Sequence, residues 1–334
     1  MKFALFYEIP VPRPWEPDSE LQAYQNTLEQ AIAGDRYGWH AFWTVEHHFL
    51  QEYSHCSNPE VLYGAIAART ERIRLGYGVR LMPRPYNHPV RTAESVAVLD
   101  LLSGGRVDLG TGRSATRAEL EGFGIDPAES RRMWQEAIGH VVGCWTNDEY
   151  EFAGEFWQMP RRRVQPKPWQ KPHPPLWGAT TSDEGHAQVG DLGLGLCSFA
   201  VGLPPSEVQR KIDIYRAAVE RCTTPIGATV HNAAATFTMA ICAPDRDKAI
   251  AEARESFEWY PKTGARQIAT LTDWMAERQQ ELGTYSYAAD MKKTDDEGLL
   301  DLLLCLVNPY KISHESVMQT IELIGTEVIP AFAD

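Results

Sequence analysis

"IRLGYGVRLMPRPYNHPVRTAESVAVLDLLSGGRVDLGTG", residues 73–112, holds one full cycle of an alternating strand–helix pattern. Ile73–Met82 reads as a strand. From His88 to Ser103 the apolar residues recur at helical spacing, and Gly104 supplies the stop expected just past a helix C-terminus. Arg106–Gly112 reads as the next strand. The strands are near-continuous apolar runs, as a parallel sheet buried on both faces requires.

The rhythm extends both ways. Upstream lie strand "FALFYEI", helix "SELQAYQNTLEQAIAGDRYG" with Ser19 as N-cap and Gly38 as stop, strand "HAFWTV", and helix "NPEVLYGAIAARTE" capped by Asn58 with Pro59 in its first turn. Downstream, the long amphipathic helix "ESRRMWQEAIGHVVGCW" leads into an interruption over residues 146–175. This consists of an alternating hairpin around Gly154 and the Pro-rich connector "VQPKPWQKPHPP". Strands "LWGAT", "GLCSFA" and "ATFTMAICA" then alternate with helices, and "LLDLLLCLVNP" followed by "ESVMQTIELIGTEVI" closes the chain. Residues 261–298 are less patterned; they are expected to hold a helix near "LTDWMAERQQEL" and to form a variable segment that could act as a lid.

Eight strands, most followed by a helix, point to one α/β domain over residues 1–334: a closed (β/α)8 TIM barrel with an insertion between strands 4 and 5 and an irregular segment before strand 8. A doubly wound open sheet is the competing architecture. It would more often carry G-x-G-x-x-G after an early strand, and "GTGRSATRAELEGFG" does not match that spacing.

Composition narrows the function. Of 334 residues, 43% are apolar, enough for a sizeable core, and the net charge of −13 disfavours nucleic acid or an anionic membrane as partner. The six cysteines show no CxxC spacing, so neither a zinc cage nor a disulfide framework is expected, and a cytoplasmic location fits. No signal peptide is read at the N-terminus, and no run reaches the roughly 18 apolar residues of a membrane span.

In such a barrel the chemistry gathers at the C-terminal strand ends. Glu8, Glu46-His47-His48, Gly78-Val79-Arg80, Gly112-Arg113 and Thr180-Thr181-Ser182 all fall there, although polar loop residues are common at any one such end. Successive side chains on an extended strand point to opposite faces, so His47 and His48 are poorly placed to grip one metal, and no metal site is expected. One imidazole is expected to face the cavity as a general acid or base, the other to pack beneath the rim. A purely structural role is the competing reading, stronger for His48. Gly76 and Gly78 inside a strand fit either a bulge or the close approach of a flat body. Arg113 at a bare strand end and the hydroxyls of Thr180, Thr181 and Ser182 at a strand-to-helix junction suit a phosphate, with simple N-capping as the alternative for the hydroxyls.

Taken in order, "EHHF", "NP", "HPVR", "LLSGGRVDLGTGR", "PPLWGATTSDEG" and "NPYKISHESVMQTIELIGTEVIPAF" resemble the luciferase-like flavin-dependent monooxygenases, most strongly over residues 1–145. The resemblance implies a TIM barrel that uses reduced FMN from a separate flavin reductase together with O2, oxygenates an apolar organic substrate through a flavin hydroperoxide, and assembles as a homodimer through the early barrel helices. It implies that His47 is the catalytic histidine and that Gly78-Val79 is a non-prolyl cis peptide under the flavin ring. It also puts the phosphate on Arg113 and Thr181, with Thr180 and Ser182 alongside. Tyr7, Glu8, Trp43, Val45 and His48 are expected to line the substrate pocket. Gly112 stands where luciferase has a reactive cysteine, so no thiol chemistry is expected there. A deazaflavin- or flavin-dependent dehydrogenase of the same fold, and a non-catalytic flavin-binding protein, are the alternative functions.

Overall fold

The computed structural model describes residues 1–199, 203–278, 280 and 301–332. Strands β1 (Lys2–Tyr7), β2 (Ala41–Thr44), β3 (Arg74–Tyr77), β4 (Arg80–Leu81), β5 (Val107–Gly112), β8 (Leu176–Thr180), β9 (Gly195–Ser198), β10 (Ala234–Met239) and β11 (Leu302–Leu306) form one parallel sheet. Its order is β3-β2-β1-β11-β10-β9-β8-β5-β4, and a further β3–β5 pairing closes it. The result is a closed eight-stave barrel in which β3 and β4 are two pieces of one stave. The expected insertion appears as the antiparallel hairpin β6 (Tyr150–Ala153) and β7 (Gln158–Arg162), outside the barrel.

Helices α1 (Ser19–Arg36), α2 (Pro59–Ala67), α3 (Pro89–Ser103), α5 (Pro127–Thr146), α6 (Asp183–Asp191), α7 (Pro205–Arg221), α8 (Arg246–Glu277) and α9 (His314–Leu323) follow the staves, and a short α4 (Arg117–Gly122) follows β5. Several ends follow the side-chain chemistry. Gly104 takes the left-handed conformation past α3 (φ 68°), and Asp126 and Ser182 cap α5 and α6 by accepting from backbone N–H groups. Ser19 is not the cap of α1: it is the first helical residue, and its hydroxyl accepts from the Glu16 N–H instead.

The barrel is filled rather than hollow. Trp43 is fully buried and packs edge-on against Trp177, with ring centroids 5.4 Å apart. A Cβ on Gly76 would collide with the Trp43 indole, so that glycine makes room for the tryptophan.

Two expectations are corrected here. The third strand is not continuous over Ile73–Met82. It breaks at a cis Gly78–Val79 peptide, and four steps from Gly76 to Arg80 oppose three from Asp108 to Thr111, as in a bulge. The break is pinned to the end of β2: Gly78 N–H donates to the Thr44 carbonyl (2.8 Å), Glu46 N–H to the Val79 carbonyl (3.0 Å), and Leu81 N–H to the Glu46 carboxylate (2.9 Å). Second, the segment from residue 261 is not irregular at its start. Helix α8 runs through Pro261 to Glu277, because buried Tyr260, Gly264, Leu271 and Met275 keep one helical face against the barrel. Residues 279 and 281–298 of the expected lid lie outside the described residues.

Candidate active site

The C-terminal ends of the staves surround a cavity of about 1030 Å³, counting its open mouth. Glu8 enters from the end of β1, Val45, Glu46 and His47 from β2, Gly78 and Val79 from the broken stave, and Gly112, Arg113 and Ser114 from β5. Ala179 and Thr180 end β8 and Thr181 follows it, Phe199 follows β9, Phe237 belongs to β10, and Tyr260, Gly264, Gln267 and Ile268 line the mouth from α8. Val79 presses against Gly112, where any Cβ would collide with its side chain.

His47 is the polar centre of this wall. Nδ1 lies 2.9 Å from Oε1 of Glu119 and Nε2 lies 3.5 Å from Oε2 of Glu8, with the side chain 20% exposed. Glu119, on α4, is fully buried; it also accepts from the His48 N–H (3.0 Å) and the hydroxyls of Ser114 (2.7 Å) and Thr116 (2.6 Å). Burial alone would lower the His47 pKa, but Glu119 and then Glu8 and Glu46 outweigh it and raise it to about 9. Burial likewise works to raise the Glu119 pKa, and the charge and hydrogen bond of His47 with the two hydroxyls bring it below its ordinary value. Glu8 goes the other way: burial raises it, only partly opposed by His47, by the Tyr260 hydroxyl 2.9 Å from its Oε1 and by a hydrogen bond from Tyr53.

A second, smaller hollow of about 340 Å³ shares Gly112, Arg113, Ala179 and Thr180 with the cavity and adds Arg131, Ser182 and Gly185. It lies at the start of α6, where Ser182 accepts from the Gly185 N–H (3.1 Å), while Arg113 donates to Ser130 and Arg131 pairs with Glu184. A helix N-terminus flanked by two arginines suits an anion.

The family model described as luciferase-like monooxygenase matches residues 1–309. The chain belongs to the luciferase-like monooxygenase family. The oxygenase component of a flavin-dependent trigonelline monooxygenase from Acinetobacter baylyi is 31% identical over 223 residues, which cover 66% of this chain and 60% of that protein. The chain spans about half to three-fifths of the length of the first curated relatives it matches. Among solved structures, the monooxygenase RslO1 from Streptomyces bottropensis superposes with a TM-score of 0.81 at 24% identity over 100% of both chains. The oxygenating constituent of a Baeyer–Villiger 3,6-diketocamphane monooxygenase from Pseudomonas putida, in complex with FMN, gives 0.77 at 20% identity over 99% of this chain and 98% of that one. Both likenesses speak to the fold.

Within this luciferase-like fold the residues singled out in the sequence separate. His47, Gly78, Val79, Arg113, Thr180, Thr181, Glu8 and Val45 all border the main cavity, and Ser182 borders the adjoining hollow. Three expected pocket residues do not border it. Tyr7 alternates with inward Phe6 and Glu8 and so turns outward, where its hydroxyl donates to Gln30 (2.8 Å) and its ring stacks on Phe42. Trp43 faces inward but sits one layer below Val45, as barrel filling. His48 points away from His47 and stacks on Tyr86 with Phe123 edge-on, bracing the rim. The sequence reading missed Glu119, Tyr53, Tyr260, Phe199, Phe237 and Arg131. For Glu119 a signal existed: Thr116-x-x-Glu119 is a capping-box pattern, and the Thr116 hydroxyl does accept from the Glu119 N–H (3.3 Å).

Proposed function

We propose that this chain is the oxygenase of a two-component flavin-dependent monooxygenase, which takes reduced FMN from a separate flavin reductase and inserts one atom of O2 into an apolar organic substrate. The observation that carries this reading is the pair of joined hollows. One is a largely apolar cavity with a carboxylate-backed histidine on its wall; the other is an arginine-flanked helix N-terminus, and they share the walls of Gly112-Arg113 and Ala179-Thr180. A flat ring tethered to a phosphate fits that shape. Arg113, Arg131, Thr180, Thr181 and Ser182 would hold the phosphate, and Gly78-Val79 would lie against the ring. Bound there, reduced FMN supplies the two electrons with which O2 is activated.

The protein's own share is binding, exclusion of water and proton handling. Val45, Phe199, Phe237 and Ile268 give the cavity apolar walls, which favour an apolar substrate and keep water from the reacting oxygen. One oxygen atom enters the product and the other leaves as water, so protons must be managed at the oxygen. Glu119 fixes Nδ1 of His47, which leaves Nε2 as the nitrogen that faces the cavity. The six free cysteines are in keeping with a cytoplasmic protein. Exposed Val61 on α2 and Val98, Leu101 and Leu102 on α3, two helices that pack side by side, support a homodimer through this face.

The test is anaerobic titration with reduced FMN, and separately with a reduced deazaflavin, followed by mixing with O2 and a panel of apolar substrates. Binding of reduced FMN and O2-dependent product are expected. Preference for the deazaflavin with hydride transfer and no use of O2 would overturn the reading in favour of a dehydrogenase; tight flavin binding with peroxide alone across the panel would favour a non-catalytic flavin binder. In a single turnover, His47→Ala is expected to bind reduced FMN but to lose product yield by about a hundredfold, with peroxide in its place. Undiminished yield would remove His47 from the chemistry.

A further inference from the structure

Glu8 is not needed to hold the imidazole, because Glu119 already fixes Nδ1 at 2.9 Å. Yet Glu8 is only 3% exposed and lies in the cavity wall. Its carboxylate takes hydrogen bonds from the Tyr260 hydroxyl (2.9 Å, to Oε1) and from the Tyr53 side chain, while Oε2 stands 3.5 Å from Nε2 of His47 and makes no closer polar contact among the described residues. A buried carboxylate with few donors is costly as an anion and less so when it carries a proton. The two carboxylates around His47 are therefore built differently. Glu119 takes four donors and is suited to stay charged; Glu8 takes fewer, and its Oε2 lies on the cavity side next to Nε2 of His47.

We propose that Glu8 is the proton reservoir for His47, replacing from Oε2 the proton that Nε2 gives up to the reacting oxygen. The O–H bond at Oε2 breaks and an N–H bond forms at Nε2. Glu8 is left as a carboxylate held by the Tyr260 hydroxyl until water at the mouth reprotonates it, and no electrons move. Burial, which raises the Glu8 pKa, favours the loaded form. The groups facing His47 that set the balance are Glu8, Glu46, Glu119, Tyr53 and Tyr260. The inference rests on the reading of His47 as the proton-handling group of an oxygenase.

The experiment is NMR titration of the His47 imidazole in cofactor-free protein, for the intact chain, Glu8→Gln and Tyr260→Phe. In the intact chain the His47 signal is expected to show two coupled steps, its own and that of Glu8. Glu8→Gln should leave one, and Tyr260→Phe should move the Glu8 step to higher pH, which keeps the test open if Glu8→Gln does not fold. A single His47 step in the intact chain, or two steps that persist in Glu8→Gln, would overturn the proposal. With reduced FMN and O2 in a single turnover, Glu8→Gln should slow flavin reoxidation about tenfold or more, leave reduced-FMN affinity within about twofold, and remove the lower of two alkaline limbs from the pH profile. An unchanged rate and profile would overturn it too. Failure of reduced FMN to bind would sink the proposed function, while the NMR steps would still decide the role of Glu8.

Discussion

His47 has unequal neighbours on its two nitrogens, and that inequality defines its chemistry. Burial works against the charged ring, and the charge and hydrogen bond of Glu119, ahead of smaller contributions from Glu8 and Glu46, overcome it to bring the pKa to about 9. With the folded value above the ordinary 6.5, the stabilisation from this pairing is complete below about 6.5 and is lost as pH rises through about 9. The same protonation governs activity if Nε2–H is the working proton. Glu119→Gln keeps a hydrogen bond to Nδ1 but removes the charge, so burial should prevail and the His47 pKa should drop well below 9. The alkaline limb of the pH–rate profile is then expected to move down with it, and the rate at pH 8 to fall about tenfold or more. A limb that stays near 9 in Glu119→Gln would show that the charge of Glu119 does not set the state of His47.

At the scale of elements, the broken stave β3–β4 governs the site. Its break turns Gly78-Val79 into the cavity wall and brings the Tyr77 carbonyl against Gly110 of β5, where a Cβ would collide with that backbone oxygen. Backbone cannot step aside as a side-chain tip can. Gly110→Ala is therefore expected to lose about 3 kcal/mol or more in urea unfolding, at or beyond the upper end of overpacking costs. Gly139→Ala, in the interior of α5 with nothing near the new Cβ, is expected to gain about 0.5–1 kcal/mol. Equal effects of the two would refute the packing argument. Much of this scale was legible from the chain. Apolar runs marked the staves, Gly104 and Ser182 marked helix ends, and the polar strand ends marked the rim. What stayed hidden depends on contacts distant in sequence. Tyr7 and Trp43 are expected to line the pocket and do not, because strand periodicity reveals neither which face turns inward nor which layer lies deepest. Helix α4, which carries Glu119, is only one and a half turns long, too short for a helical period to show. Residues from 261 on show little pattern in the sequence, yet α8 continues through Pro261 because Gly264 and Leu271 still face the barrel.

At the scale of the whole molecule, the net charge of −13 opposes the self-association that exposed apolar side chains promote. The outer surface of α2 and α3 shows where apolar contact can prevail: Val61 is 69% exposed, Leu102 70%, Leu101 44% and Val98 43%. These positions gain nothing from water, and covering such a patch by a second copy would return about 25 cal/mol for each Å² of apolar surface removed. A symmetric pairing would place the same patch on both sides, the commonest arrangement for soluble homo-oligomers. The patch is also clear of the cavity mouth, since none of these residues lines it. Light scattering coupled to size exclusion is expected to give a dimer mass for the intact chain. Leu102→Glu combined with Val61→Glu should give a monomer, because a paired face would bring like charges from both copies together. The monomer should keep its affinity for reduced FMN within about twofold, as the two hollows are built from one chain and the interface supplies none of their walls. A monomeric intact chain, or a dimer untouched by both substitutions, would place the partner surface elsewhere.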